Sequence, residues 1–304
     1  MSRKVNYLYD VFGLIVRSDI LFPELPVSSE LVCGDVSIVL SDYLGDIRAP
    51  VTESAHFSVN HVQTVLKGDG FDLTVKNGCE IRVHNRKIQD WEEVRLRILG
   101  AAFGVLLQQR GMLVLHGATI VGKKGALVLL GHSGDGKSTL TGQLVGRGYQ
   151  SMGDDKAIIS VGVSCMVLPS FPYIKLSRSS AMNLGFSDSA IRTITRSHIK
   201  KYINLGDQFF FGSAPLKGLF VLGQSKDAAV EELPKEQAFS SLIEQSYRRR
   251  KLFGMGVHTE HFLQCGQLAQ RFPVFSYQRS FGDGNLREPD PQFLDQVEAL
   301  IGYE

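Results

Sequence analysis

Residues 131 to 138, Gly131-His132-Ser133-Gly134-Asp135-Gly136-Lys137-Ser138, read GHSGDGKS and match the pattern G-x-x-x-x-G-K-[ST]. The stretch ALVLLG (126–131), which leads into this pattern, is short, apolar and flanked by glycine, so it predicts a buried central strand. The stretch LTGQLVGR (140–147), which follows it, predicts a helix that ends near Gly148. Strand, glycine-rich loop and helix in this order predict a P-loop unit in an α/β fold.

The residue types in this loop suit the binding of a nucleoside triphosphate. Glycines allow backbone conformations that turn successive N–H groups toward phosphate oxygens, and the helix that follows presents its positive N-terminal end at the same point. Lys137 adds a mobile charge near the β- and γ-phosphates, and Ser138 offers a hydroxyl to Mg²⁺. ATP and Mg²⁺ are therefore the expected cofactors. The residues predicted to bind the nucleotide are Gly131, His132, Ser133, Gly134, Asp135, Gly136, Lys137, Ser138 and Thr139.

Two further groups flank the loop in the sequence. MLVLHGATIV (112–121) predicts a strand that contains His116, and the turn GKKG (122–125) joins it to the strand before the loop. Asp154 and Asp155 are expected at the edge of a strand that neighbours the P-loop strand. Adjacent carboxylates there can divide the work, one binding Mg²⁺ and the other orienting or deprotonating a hydroxyl. A solvated Asp-Asp turn is an equal alternative, and a strand histidine is more often a packed residue than a catalytic one.

The chain divides into two predicted domains. Residues 1–90 contain apolar stretches at 5–16, 36–40 and 57–83 broken by turn residues, which predicts a small, mostly antiparallel, β-rich N-terminal domain. From Trp91 to Arg110 the apolar residues recur at helical spacing. The boundary is placed just before this helix, so that the second domain is 91–304. Further strands are predicted at 173–176 and 219–222, and further helices at 235–253 and 291–301.

Composition restricts the class of protein. The 304 residues are 43% hydrophobic and 21% charged, with a formal net charge of +2, so no global field attracts nucleic acid. The cysteines are scattered singly and indicate reduced thiols: Cys33, Cys79, Cys165 and Cys265. No window approaches the roughly 18 uninterrupted apolar residues of a membrane span, and the N-terminus lacks the apolar core of a signal peptide. A cytoplasmic protein without nucleic-acid or membrane partners is expected.

His116, GHSGDGKS and Asp154–Asp155, in this order and spacing, resemble the catalytic domain of the HPr kinase/phosphorylase superfamily, which is related in fold to phosphoenolpyruvate carboxykinase. The resemblance covers about residues 112 to 160. It implies a P-loop kinase domain of this type after the β-rich N-terminal domain, and assembly into a homo-oligomer whose subunit number the sequence does not give. It also implies that Asp154 acts as base toward a serine hydroxyl, that Asp155 binds the metal with Ser138, and that His116 lies beside the reacting phosphate. With Lys137, the catalytic set is then Asp154, His116 and Lys137.

The sequence departs from that family in one respect. HPr kinases carry a further glutamate soon after the aspartate pair, within Glu-Ile-Arg-Gly, as a second magnesium ligand, whereas no acidic residue lies between Asp155 and Asp188 here. This difference puts HPr as substrate, and the reverse phosphorylase reaction, in doubt. YDVFGLIVRSDILFPEL (9–25) and PSFPYIKL (169–176) are more similar to HPr-kinase-like proteins of bacterial peptide-biosynthesis clusters. That resemblance implies phosphorylation of a lasso-peptide precursor at its C-terminal serine.

Other functions remain open for the same set of residues. One is a kinase of a free small molecule, such as an amino acid or a sugar. Another is a P-loop ATPase or a nucleotide-binding regulator, which is disfavoured because no run of four apolar strand residues precedes the aspartates.

Four cationic residues that follow the aspartates are candidates for a contact with the phosphates: Lys175, Arg178, Lys200 and Lys201. A cation could neutralise charge on a transferring phosphoryl group, although a solvated basic face is the better interpretation of any one of them. Lys201, which adjoins a predicted strand start, is the candidate among the four for a contact with phosphate or substrate.

Overall fold

The structure, a computed structural model, describes residues 7–28, 34–42, 47, 49–187, 191–192, 201–280 and 288–303. These residues form a mixed α/β fold with sheets of eight, nine and three strands. The chain divides into two compact units. The first consists of Met1–Leu113 and Arg248–Phe262, and the second of Val114–Tyr247 and Leu263–Glu304.

The first unit is built on the eight-stranded sheet. Its strands are β1 (Tyr7–Val11), β2 (Leu14–Ser18), β3 (Val36–Ser41), β4 (Thr52–Ser54), β5 (Phe57–Val59), β6 (Gln63–Lys67), β7 (Phe71–Lys76) and β8 (Glu80–Asn85). Their order is β1-β2-β3-β8-β7-β6-β5-β4. Only the pairs β2–β3 and β3–β8 are parallel among them, so the described strands are mostly antiparallel, as predicted. The strand predicted at 5–16 is instead the β1–β2 hairpin, because Phe12 and Gly13 both turn with positive φ; Val5 lies outside the described residues.

The helix predicted from Trp91 is present, with one irregular turn. It begins as α1 (Trp91–Arg97), passes through a π-helical turn at Ile98–Ala102 and continues as α2 (Phe103–Gln109). The Asp90 carboxylate caps the first turn by accepting hydrogen bonds from two backbone N–H groups. The π-helical turn and α2 pack against β7, which places them in the same compact unit as the sheet. The predicted domain boundary before Trp91 stays a prediction.

A buried ion pair joins α1 to the chain after β2. Arg95 Nε donates to both carboxylate oxygens of Glu24, at 2.9 and 3.1 Å, and both side chains are largely buried. We expect Glu24→Ala to destabilise the protein by about 3 kcal/mol, because it leaves the guanidinium buried without its partner. Urea unfolding measures the loss. The double variant Glu24→Ala/Arg95→Met should recover part of it, and a double variant as unstable as the sum of the two single variants would contradict this explanation.

The second unit is built on the nine-stranded sheet and carries the three-stranded one. The strands are β9 (Leu113–Leu115), β10 (Gly117–Gly122), β11 (Gly125–Leu130), β12 (Gln150–Gly153), β13 (Ala157–Ser160), β14 (Met166–Leu168), β15 (Tyr173–Leu176), β16 (Ile191–Arg192), β17 (Lys201–Asn204), β18 (Ala214–Ser225), β19 (Ala229–Glu232) and β20 (Val274–Ser280). The larger sheet runs β12-β10-β11-β18-β14-β13-β9, with β20 pairing both β18 and β19, and the smaller one runs β15-β17-β16.

The strand that leads into the loop is central, as its composition predicted. β11 pairs antiparallel with β10 and parallel with β18, and all six of its residues are buried. The β10–β11 hairpin turns at Lys123–Lys124, between Gly122 and Gly125, as the GKKG segment indicated. The predicted strands near 173–176 and 219–222 are β15 and part of β18.

The remaining α-helices follow in the chain. They are α3 (Lys137–Val145), α4 (Arg178–Asn183), α5 (Lys235–Glu244), α6 (Leu252–Met255), α7 (His258–Arg271) and α8 (Pro291–Ile301). Leu140 and Leu144 of α3 share one buried core with Leu127 and Leu129 of β11 and with Phe293 of α8. The P-loop helix is therefore fixed to the central strand by apolar packing, and α8 has the bounds predicted for it.

Three sequence predictions about the second unit are wrong. β12, which precedes the aspartates, pairs with β10 and not with β11, so it is one strand removed from the P-loop strand. The strand predicted at 112–121 breaks at His116, because β9 and β10 join different parts of the sheet. The helix predicted at 235–253 ends at Glu244. Its chain leaves the helix because residues 245–247 hydrogen bond to residues 114–116.

The thiols and helices add two findings. Cys79, Cys165 and Cys265 carry reduced thiols, and Cys33 lies outside the described residues. Among the helices that the structure describes, none has the length and apolar character needed to cross a membrane.

Candidate functional site

The loop between β11 and α3 depends on glycine. Gly131, Gly134 and Gly136 have φ of 147°, 108° and 83°, in the region that other residues rarely adopt. A Cβ at Gly131 would also lie 3.0 Å from a carboxylate oxygen of Asp135. That carboxylate accepts a hydrogen bond from the backbone N–H of His132 at 2.5 Å, which closes the loop on itself. The loop is thus shaped by its own residues.

Lys137 begins α3 and is held inside the loop. Its ammonium donates to the carbonyl oxygens of Gly131, at 2.6 Å, and of His132, at 2.8 Å. The loop borders a cavity of about 250 Å³. The residues that line it are His116, Ser133, Gly134, Gly136, Lys137, Ser138, Thr139, Asp154, Asp155, Lys175, Leu176, Ser177 and Ser180.

Asp154 lies against the start of α3. The Ser138 hydroxyl donates to its carboxylate, at 3.0 Å from Oδ1 and 2.9 Å from Oδ2. The backbone N–H of Lys175 donates to the same Oδ2 at 2.9 Å. Asp154 is buried, and it follows directly on β12, so both the strand and the hydrogen bonds fix its position. A P-loop hydroxyl beside a carboxylate at a strand end is the arrangement that holds Mg²⁺ in P-loop nucleotide hydrolases.

Asp155 contacts a different set of groups. Its backbone has a positive φ of 73°, and its carboxylate lies 3.5 Å from the Lys175 ammonium, 3.9 Å from the Lys156 ammonium and 3.7 Å from His116 Nδ1. Burial raises the pKa of the Asp155 carboxyl, but the charges of Lys156 and Lys175 outweigh that effect and lower the pKa to about 2. The carboxylate is therefore ionised at neutral pH.

His116 lies in the bend between β9 and β10. Its Nδ1 is 3.1 Å from the carbonyl oxygen of Asp155, and burial followed by the charge of Lys137 lowers its pKa, which favours the neutral ring. A carbonyl only accepts hydrogen bonds, so Nδ1 is the protonated nitrogen and Nε2 keeps its lone pair. The ring lines the cavity. The hydrogen bond from Nδ1 to the Asp155 carbonyl therefore sets the tautomer of His116.

The structure brings most of the predicted site residues to one cavity. Ser133, Gly134, Gly136, Lys137, Ser138 and Thr139 line it together with His116, Asp154 and Asp155. Gly131, His132 and Asp135 are not lining residues and instead hold the loop through the hydrogen bonds given above. Lys201 is also absent from the lining; it pairs with Leu176 across β15 and β17. Lys200 lies outside the described residues, and Arg178 begins α4.

Two cations at this site carried too little signal in the sequence. Lys175 lines the cavity. The sequence analysis did not favour it over the other cations that follow the aspartates. The feature that could have indicated a function is a lysine inside the apolar strand YIKL (173–176). Arg279 is buried and donates to the carbonyl oxygen of Gly136, at 3.3 Å, and to the Gln143 side chain, at 3.2 Å. It braces the end of the loop from β20, which no local pattern could indicate.

The oxygen atoms around Ser138 fit a magnesium ion. Mg²⁺ prefers oxygen ligands and in nucleotide sites takes one or two from carboxylates and the rest from phosphates and water. The Ser138 hydroxyl and the Asp154 carboxylate supply such oxygens beside the loop. Within the described ranges no three His, Cys, Asp or Glu residues gather as a metal site.

Known proteins resemble the chain in fold rather than in sequence. No model of a protein family matches the chain, and no curated protein matches it by sequence. Seventy chains of solved structures match its fold. One is the HPr(Ser) kinase/phosphatase from Coxiella burnetii, with a TM-score of 0.31 and 13% identity, over 62% of this chain and 93% of that one.

Proposed function

We propose that this chain is an ATP-dependent kinase that transfers the γ-phosphoryl group to a hydroxyl group. The observation that carries the proposal is the contact of Ser138 with Asp154 in the same cavity as Lys137 and Asp155. Glycine-rich loop, lysine, hydroxyl and carboxylate are the parts that bind a triphosphate with its metal. A second, ionised carboxylate beside them gives the cavity a group that can act on an acceptor.

Each side chain then has a distinct task. Lys137 exchanges its two loop carbonyls for the β- and γ-phosphate oxygens, and the loop N–H groups bind the same phosphates. Ser138 and Asp154 would hold Mg²⁺, which would neutralise phosphate charge. His116, through the hydrogen bond of its Nδ1 to the Asp155 carbonyl, helps to position Asp155.

The transfer itself needs one bond made and one broken. The acceptor oxygen bonds to the γ-phosphorus while the bond from that phosphorus to the β–γ bridging oxygen breaks, so ADP leaves. The hydroxyl proton goes to the Asp155 carboxylate. A weakly basic carboxylate suffices, because in a loose phosphoryl-transfer transition state the acceptor need not lose its proton early. The family resemblance implies the opposite assignment, with Asp154 as base and Asp155 on the metal, and this remains the alternative.

For the acceptor we propose the serine hydroxyl of a peptide, specifically the C-terminal serine of a lasso-peptide precursor. The support is the similarity of residues 9–25 and 169–176 to kinases of peptide-biosynthesis clusters. Segment 169–176 contains β15, and its Lys175 lines the cavity, so this segment borders the place where an acceptor would react. A free amino acid or sugar would need the same groups.

Intact-mass measurement tests the function and the acceptor together. We would incubate the protein with ATP, Mg²⁺ and, separately, a serine-terminated precursor peptide, HPr and free serine. The expected result is a gain of one phosphate on the peptide. Lys137→Ala should abolish this gain. Lys124→Ala is its matched control, because Lys124 lies in the turn of the β10–β11 hairpin, at the end remote from the loop. Phosphate on free serine alone would contradict the peptide acceptor, and ATP consumption without any modified acceptor would contradict the kinase.

A further inference from the structure

Lys175 contacts both aspartates of the site. Its backbone N–H donates to Asp154 Oδ2 at 2.9 Å, and its ammonium lies 3.5 Å from Asp155 Oδ2. The ammonium also lies 5.3 Å from the centre of the Tyr202 ring, the residue opposite Lys175 in the β15–β17 pair. Strand pairing fixes the backbone, and a carboxylate and a ring guide the side chain. Lys175 therefore has a defined place in the cavity.

The cavity is bordered by two lysines that come from different parts of the fold. Lys137 belongs to the loop and α3, which pack on the nine-stranded sheet, whereas Lys175 belongs to the three-stranded sheet. The Lys175 side chain is about a third exposed, at 31%, and lines the cavity that Lys137 also lines. A triphosphate seated on the loop would thus meet positive charge from both.

Electrostatics makes a cation necessary at this point. The carboxylate of Asp155 would repel a phosphoryl group that approaches it, because two negative charges at short range in a partly buried site oppose each other strongly. Ser138 and Asp154 would hold Mg²⁺, which would supply positive charge to the phosphates there. No acidic residue follows between Asp155 and Asp188 that could bring a second ion. Lys175 already pairs with the Asp155 carboxylate, and its ammonium has three N–H donors to distribute.

We propose that Lys175 is a catalytic residue whose ammonium donates a hydrogen bond to the transferring phosphoryl group. Its positive charge acts on the side of the cavity where Asp155 lies, and Mg²⁺ would act on the side where Ser138 lies. The proposal rests on the kinase function proposed above. In the transition state the negative charge is spread over the three equatorial oxygens of a phosphoryl group that has moved toward the acceptor, so an ammonium on the Asp155 side stabilises the transition state more than bound ATP. Asp155 remains free to take the proton of the acceptor.

Lys175→Met tests the proposal by separating rate from binding. We expect kcat to fall by about 10²- to 10³-fold, as when one donor to a developing charge is removed. ADP affinity should change by less than about threefold, whereas the affinity for ADP with fluoroaluminate and Mg²⁺, which mimics the transferring group, should fall by about as much as kcat. Lys175→Arg should retain more activity than Lys175→Met because it keeps the cation. A merely structural lysine would not weaken the fluoroaluminate complex selectively.

Lys175→Cys provides a second variant in case methionine disturbs folding. Treatment with bromoethylamine converts its thiolate into a thioether that carries a primary amine, with release of bromide, and should restore most of the lost kcat. Wild-type protein treated in the same way controls for Cys79, the exposed thiol of the described chain. Recovery that requires the cysteine at position 175 would support a charge at that place.

Three results would overturn the assignment. One is a kcat for Lys175→Met within about threefold of wild type. Another is a rise in the acceptor KM alone with an unchanged fluoroaluminate complex, which would place the ammonium on an acceptor carboxylate. The third is a larger loss of kcat in Lys201→Met than in Lys175→Met. Wild-type protein that neither transfers phosphate nor forms the fluoroaluminate complex would instead contradict the kinase function, and the claim about Lys175 would fall with it.

Discussion

Lys137→Ala is expected to abolish phosphoryl transfer, with a loss of kcat/KM of about 10³-fold or more. In the proposed mechanism, this variant removes the positive charge that the loop supplies to the β- and γ-phosphates. The Lys137 ammonium donates to two carbonyl oxygens of the same loop, so the loop itself sets its position. Transfer of radiolabelled phosphate from ATP to the acceptor measures the loss.

The control for this variant is a lysine that is remote from the loop, in the turn of the hairpin that precedes it. Lys124 lies in the turn between β10 and β11, and its ammonium donates to the carbonyl oxygen of Ala299. Lys124→Ala should keep the wild-type rate. A Lys137→Ala protein that retains more than about a tenth of wild-type kcat/KM would show that the loop does not act on ATP as proposed.

Substitution of the two aspartates by asparagine is expected to have different effects. Asp155→Asn should lower kcat by about 10³-fold while Mg²⁺-dependent ATP affinity stays within about threefold, because Asp155 does not contact Ser138. Asp154→Asn should weaken Mg²⁺-dependent ATP binding by about tenfold or more, because its carboxylate pairs with the Ser138 hydroxyl. Calorimetric titration with a non-hydrolysable ATP analogue, with and without Mg²⁺, measures the affinities.

The asparagine pair also decides between the two assignments of base and metal ligand. Asparagine matches aspartate in shape, so each change removes charge with little change in packing. The opposite result, in which Asp154→Asn binds Mg²⁺ and ATP normally yet loses transfer and Asp155→Asn loses the metal, would favour the roles that the family resemblance implies. Normal transfer by both variants would remove the aspartates from the mechanism.

Parts of the fold that depend on neighbouring residues could be predicted from the sequence. β11, the loop and α3 follow one another without interruption, and their signals are local: an apolar run, glycines where φ is positive, and a helical pattern. The hairpin turn at Lys123–Lys124 and helix α8, capped by Asp290 before Pro291, are local in the same sense. Local chemistry was sufficient for them because the residues that begin and end each element lie within it or directly beside it in the sequence.

The sequence by itself therefore determined the phosphate loop and the presence of His116, Asp154 and Asp155 nearby. Only the tertiary structure decided that Asp154 contacts Ser138 while Asp155 contacts Lys175, because that choice depends on which strands pair. β12 pairs with β10, and β15 belongs to a separate sheet. Two adjacent aspartates look alike in a sequence, but a left-handed backbone at Asp155 and the N–H of a distant strand give them different partners. Contacts between residues far apart in the chain carry no local signal, which is why the sequence analysis could not separate Lys175 from the other cations that follow the aspartates.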